Sequence, residues 1–190
     1  KGVLILVALS YLSGAGLFFM KRGLMEQVQG FFAPVNAWSE VESQEGHFRV
    51  MMPNPPHDLP PDDQPLKDVA PLRGGRRAVA KVGNLGYSFT AAGSGPEVKA
   101  EPTDEWFRRV GDQLRATRGK LRRGDVPVTV GGHTGREWEF EQMGAATVVR
   151  VFIVRGRVYY LSVEGSDRPR WPDAELAKPF FDSFQPLPDE

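Results

Sequence analysis

The chain of 190 residues contains no cysteine. Disulfides, thiolate metal sites and cysteine nucleophiles are therefore excluded together. The compartment stays open, because exported domains also do without cysteine. Net charge is absent as well: 24 Lys and Arg stand against 24 Asp and Glu. A nucleic-acid-binding domain carries a basic excess, so that class is disfavoured. Histidine is scarce, at three residues: His47, His57 and His133. Position 1 is lysine and not methionine, so processing or an upstream stretch is expected.

Catalytic and nucleotide-binding fingerprints are also missing. Gly93-Ser94-Gly95 and Gly131-Gly132 are glycine-rich, but no phosphate-loop lysine or dinucleotide fingerprint follows them. No serine sits in a G-x-S-x-G elbow. His57-Asp58 lies near Asp62-Asp63, which makes a cation site conceivable, yet no usual zinc-ligand spacing is present. These four are read as loop residues in water. No cofactor, no metal and no enzymatic activity are expected.

One stretch lacks charge altogether. Gly2–Met20 runs 19 residues without a charged side chain. As a helix it spans roughly 28 Å, close to the hydrocarbon thickness of a bilayer. Lys1 and Lys21-Arg22 bracket it, where cationic side chains reach headgroups. A cleavable signal peptide is the rival reading, with Ser13-Gly14-Ala15 as the cleavage region. The run continues through Leu17-Phe18-Phe19-Met20, longer than a usual signal core, which favours an uncleaved anchor. Ser10 and Gly14 form a small-xxx-small pair, where another membrane helix can approach closely. The following domain is expected outside the cytoplasm, in a periplasmic setting, although Lys21 and Arg22 alone would favour the opposite orientation.

Three regions result: an anchor over 1–22, a juxtamembrane segment over 23–37 and a folded domain over 38–190. In the second, Leu24, Met25, Val28, Phe31 and Phe32 can form one apolar face. That face either lies at the membrane surface or docks on the domain.

The whole chain is 41% hydrophobic, enough for a packed core. His47–Met52 reads as the first strand. Seven prolines between Pro53 and Pro71 then predict an extended loop, neither strand nor helix. Arg76–Val82 and Gly86–Ala92 read as strands about Gly83-Asn84-Leu85. Tyr87, Phe89 and Ala91 share a face, with Ser88 and Thr90 opposite. Thr103–Arg118 is the clearest helix: Thr103 caps it, Asp104 and Glu105 suit its positive end, and Trp106, Phe107, Val110 and Leu114 form a stripe. Gly119 stands where a left-handed terminator is wanted.

Strands resume with Val126, Val128 and Val130 on one face, then Arg136–Gln142, then a hairpin of Ala145–Arg155 with Arg157–Glu164. The first arm of that hairpin is apolar on both faces, so both should be covered. A two-residue turn at Met143-Gly144 places Glu137 across from Arg150, Trp138 across from Val149 and Phe140 across from Thr147. Glu137, Glu139 and Glu141 then read as a solvated row on a strand. Leu176, Phe180, Phe181 and Phe184 close the chain at helical spacing around Pro179.

The predicted fold is α+β: six or seven mostly antiparallel strands with helices on both faces. The Trp-Ser-Glu lead, EGHFRVMMP, the proline loop, a hairpin, one helix, a strand meander and the terminal FFDSF together resemble the PsbP-like fold over residues 38–186. That fold is shared by extrinsic photosystem subunits and anchored bacterial domains. The resemblance implies assembly at a membrane complex instead of catalysis, and no functional residue is carried over.

One charged feature remains. Arg115, Arg118, Lys120, Arg122 and Arg123 place five cations in nine residues. Cations at a helix C-terminus are expected from its dipole. The density also suits anionic lipid headgroups or an acidic partner. The function expected is that of an accessory subunit held beside other membrane protein subunits and lipids, with a photosynthetic or respiratory complex as the setting. The competing expectation is a stand-alone envelope domain that binds a small ligand or peptide.

Overall fold

The computed structural model describes residues 37–53, 56–59, 66, 73–93, 103–165 and 174–188. The chain divides into units Lys1–Ala37 and Trp38–Glu190, and every described strand and helix belongs to the second. Gly2–Met20, with Ser10 and Gly14, lies outside the described residues, as do the apolar residues Leu24 to Phe32. Among the described residues, no helix is long and apolar enough to cross a membrane.

Among the described residues, ten strands and two helices follow in order. They are β1 (Trp38–Ser43), β2 (Phe48–Pro53), β3 (His57–Leu59), β4 (Arg73–Val82), β5 (Leu85–Gly93), α1 (Asp104–Arg118), β6 (Lys120–Val130), β7 (His133–Gln142), β8 (Ala145–Val154), β9 (Arg157–Gly165), α2 (Ala174–Asp182) and β10 (Gln185–Pro186). Seven strands form one sheet in the order β3-β4-β5-β9-β8-β7-β6, and β1-β2-β10 form a second. Every strand pair is antiparallel.

Local chemistry sets the main hairpins. The turns Gly131-Gly132, Met143-Gly144 and Arg155-Gly156 have positive φ at both residues, the two-residue geometry whose twist matches the flanking strands. In the second of these the expected register is present: Glu137 faces Arg150, Trp138 faces Val149 and Phe140 faces Thr147. A one-residue slip would turn Trp138 and Phe140, both almost fully buried, out of the core.

The large sheet separates two cores. On one face Val149, Val151 and Ile153 of β8 meet Trp106, Phe107, Val110 and Leu114 of α1. On the other, Val148, Phe152 and Val154 meet Phe180 and Phe181 of α2, Phe184, and Phe48, Val50 and Met52 of β2. The strand that reads apolar on both faces is thus covered on both. Helix α1 starts at Thr103, whose Oγ1 accepts from the Trp106 amide at 3.2 Å. It can lie close to the sheet because Gly111 has no side chain: a Cβ there would stand 2.9 Å from Trp138 Nε1.

Four expectations need correction. The Trp-Ser-Glu lead is not a leader into the sheet but β1 itself, paired to β2. Both belong to the small sheet, so the first strand does not extend the main one. The proline-rich stretch holds a strand after all: His57–Leu59 sits between its prolines and pairs with β4 as the short edge of the large sheet. Proline is tolerated there because an edge leaves half the backbone donors unpaired. Leu66 of that stretch is fully buried in the α1 core, so part of it packs inward. Finally, Gly119 has φ 90° and ψ −148°, not the left-handed helical terminator. This region is almost exclusive to glycine, and a Cβ would fall 2.8 Å from the Glu141 carbonyl oxygen.

The two sheets are tied at one end. Tyr159 donates to the His47 carbonyl at 3.1 Å, and Arg157 and Arg155 reach the carbonyls of Glu45 and Leu187.

Candidate functional site

The turn at Gly119 decides where the basic cluster goes. Arg115 and Arg118 lie in the last turn of α1, whereas Lys120, Arg122 and Arg123 open β6. Arg115 pairs with Asp112 at 3.2 Å on the exposed helix surface. Arg118 leans over the sheet, donates to the Tyr160 hydroxyl at 3.1 Å and stands 3.8 Å from Glu164. Arg122 Nε lies 3.2 Å from Glu141, with Glu139 at 3.9 Å from its Nη1. Arg123 pairs with Glu137. Lys120 is exposed, opposite Glu141 in the strand register, and has no ion pair among the described residues. The cluster is therefore divided: Arg118 serves the α1 face, while Arg122 and Arg123 serve the face that bears the glutamates.

Those glutamates are not the solvated row that alternation suggests. Glu137 is 6% exposed. It accepts from Arg150 Nε at 2.8 Å and from Arg123. Arg150 also lies 3.7 Å from Asp182, and its guanidinium sits 4.5 Å from the Phe181 ring centroid. The cross-strand pair read from the sequence thus extends into a chain, Arg123–Glu137–Arg150–Asp182, which fastens α2 to the sheet. A buried carboxylate is tolerable only with such partners.

At the sheet end where α1 passes into β6, the Met143-Gly144 turn projects. Gly119 packs against Glu141 and Gln142, so Lys120 and the turn are neighbours. Met143 is completely exposed and holds φ 49°. A long apolar side chain displayed on a stiff turn of positive φ is uncommon.

The histidines stay apart. His47 Nδ1 lies 3.3 Å from the Pro188 carbonyl oxygen, His57 is exposed in β3, and His133 opens β7. Asp58, the expected neighbour of His57 in a cation site, is held by Arg76 at 2.8 and 3.3 Å. Asp62 and Asp63 lie outside the described residues. Among the described residues, no three His, Asp or Glu side chains are grouped to hold a metal.

Sequence reasoning missed Tyr160. Its ring is buried on the α1 face, and its hydroxyl meets Arg118 and Ser162. Burial pushes the phenol above its ordinary pKa of 10.0, against the opposing pull of the Arg118 charge. The sign follows from linkage. The neutral phenol is favoured in the folded state, so its contribution is complete below pH 10 and is lost as pH rises beyond it. Stability is expected to fall by up to about 1.4 kcal/mol per pH unit on that limb. Tyr160→Phe should flatten the slope in urea unfolding measured between pH 9 and 11; Tyr87, also raised by burial, keeps a residual slope.

A seven-stranded antiparallel sheet with α1 on one face, and α2 with a small sheet on the other, defines a PsbP-like α+β fold. The chain is similar to the solution structure of cyanobacterial PsbP (CyanoP) from Synechocystis sp. PCC 6803: TM-score 0.56 and 12% identity, over 82% of this chain and 96% of that one. It is also similar to a crystal structure from Bacteroides thetaiotaomicron, at TM-score 0.50 and 10% identity. That match covers 79% of this chain and 48% of the other. No protein-family model and no curated protein matches the chain. At these identities the likeness concerns the fold alone.

Proposed function

We propose that this protein is a non-enzymatic accessory subunit, anchored by a helix over residues 2–20, which docks on and stabilises a larger membrane protein complex of a photosynthetic or respiratory kind. The observation that supports it most is the union of a PsbP-like domain with 19 uncharged residues bracketed by Lys1 and Lys21-Arg22. Such a segment holds the domain at a bilayer, and Ser10 and Gly14 offer a face to a neighbouring helix. A second contact is supplied by the domain at Met143 and Lys120, with Arg115 on the exposed side of α1. Two weak contacts on one chain reinforce each other through high effective concentration. The domain sits outside the cytoplasm, in the periplasm.

The test is affinity capture of the full chain in mild detergent, followed by native electrophoresis. A partner complex should be retained, and should be largely lost with Gly14→Leu or with Lys120→Glu and Met143→Asp together. Migration alone at its own mass in every mild detergent refutes the proposal. Alkaline carbonate extraction should leave the protein in the membrane pellet, and protease added to intact spheroplasts should digest the domain.

The alternative, a stand-alone envelope domain that binds a small ligand, is favoured by one observation: the polar surroundings of Tyr160.

A further inference from the structure

The α1 face of the large sheet changes character along its width. Over β7 and β8 it is apolar and packed by the helix. Over β5 and β9 it carries hydroxyls. Thr90 stands opposite Tyr160, and Ser88 stands opposite Ser162. On the next strand Arg77 is opposite Thr90. Thr90 is 3% exposed, Ser162 5% and Tyr160 1%.

These groups are not an ordinary satisfied core. The Tyr160 oxygen accepts from Arg118 at 3.1 Å and shares a hydrogen bond with Ser162. The positive charges of Arg118 and Arg77 both bear on it. Thr90 Oγ1, in the same cross-strand row, is buried and has no hydrogen-bond partner among the described residues. A buried hydroxyl without a partner is destabilising, and valine has the same shape without that defect. Thr90 is thus a donor kept at a cost, beside two guanidinium groups. The carboxylate nearest Arg118 is held loosely: Glu164 lies at 3.8 Å and its side chain is 55% exposed. An incoming anion can replace it.

We propose that Thr90, Tyr160, Ser162 and Arg118 form a binding site for a small oxyanion, the carboxylate or phosphate group of a soluble molecule. Arg118 donates to two of its oxygens in the planar geometry that guanidinium favours. The Thr90 hydroxyl donates to it as well, and the charge of Arg77 adds to the field that holds it. Among the described residues, Glu164 at the rim is the one carboxylate on this floor, so it suits an anion better than a cation. The site does not depend on the docking reading, since it uses neither the anchor nor the Met143 end.

Titration calorimetry of the full chain in detergent tests it, with sodium phosphate and sodium acetate as probes and sodium chloride at equal ionic strength as reference. Saturable one-to-one binding of phosphate or acetate, above any chloride signal, is expected. Thr90→Val, which keeps the shape of the side chain, and Arg118→Gln should each weaken it about tenfold or more, the effect of losing a hydrogen bond to a charged group. Glu164→Gln should tighten it by removing the competing carboxylate. The proposal is overturned if neither probe saturates by tens of millimolar, or if Thr90→Val binds as the parent does. Circular dichroism of each variant separates lost binding from lost fold.

Discussion

Trp138→Ala is expected to lower the free energy of unfolding by about 3 to 5 kcal/mol, the range for removing a large buried aromatic side chain. Trp138 is 2% exposed, opposite Val149, and its indole fills the space left by Gly111 beneath α1. Phe107 packs at 6.4 Å between ring centroids. Nothing small can collapse into that volume, because sheet and helix are both rigid. The reciprocal change, Gly111→Ala, places a methyl 2.9 Å from the indole nitrogen and should cost about 1 to 3 kcal/mol through overpacking. Urea denaturation of the full chain gives both values. A loss under about 1 kcal/mol for Trp138→Ala would mean that α1 is not seated on this side chain.

Glu137→Ala has the next largest expected effect, about 3 kcal/mol, at the low end for breaking a buried ion pair because Arg123 is half exposed. The loss comes from what is left behind: Arg150, whose side chain is only 18% exposed, keeps its charge with Asp182, at 3.7 Å, as the one carboxylate left to it among the described residues. A double-mutant cycle isolates this effect. Arg150→Met should cost clearly less in the Glu137→Ala background than in the parent, since the charge that suffers has then been removed. Strict additivity of the two changes would show that the pair carries no coupling.

Much of this fold was legible because its instructions are local. The Met143-Gly144 turn fixes the register of β7 against β8, and with it the Glu137–Arg150 pair. The apolar residues on both faces of β8 required two covering layers, and α1 and α2 supply them. Strand β1 was not legible. Its six residues include Glu40 and Glu42, and only Val41 is buried, so neither alternation nor composition announces it. Strand β3 was hidden by prolines on either side.

The candidate site divided the same way. Five cations in nine residues were plain in the sequence, but the sharp backbone at Gly119, which sends Arg118 to one face and Arg122 and Arg123 to the other, was not. The Thr90–Tyr160 floor was beyond reach for a different reason. It exists only because β5 pairs with β9, and a single serine, threonine or tyrosine on a strand carries no mark of the strand it will meet.

The small sheet has a kinetic side. Its central strand, β2, is flanked by β1 from nearby in the chain and by β10 from far away: Arg49 donates to Gln185 across 136 positions at 2.7 Å. The Met51 amide donates to Ser183 Oγ at 2.8 Å, and the Leu187 amide to the His47 carbonyl at 2.8 Å. Phe48, in the same strand, lies against Phe89 with centroids 4.2 Å apart. During synthesis one edge of β2 therefore stays unpaired until the last strand has been made. Long-range closure of this kind slows folding and prolongs the exposure of apolar surface. Segment 1–37 emerges well before that moment, on a chain whose domain is still open.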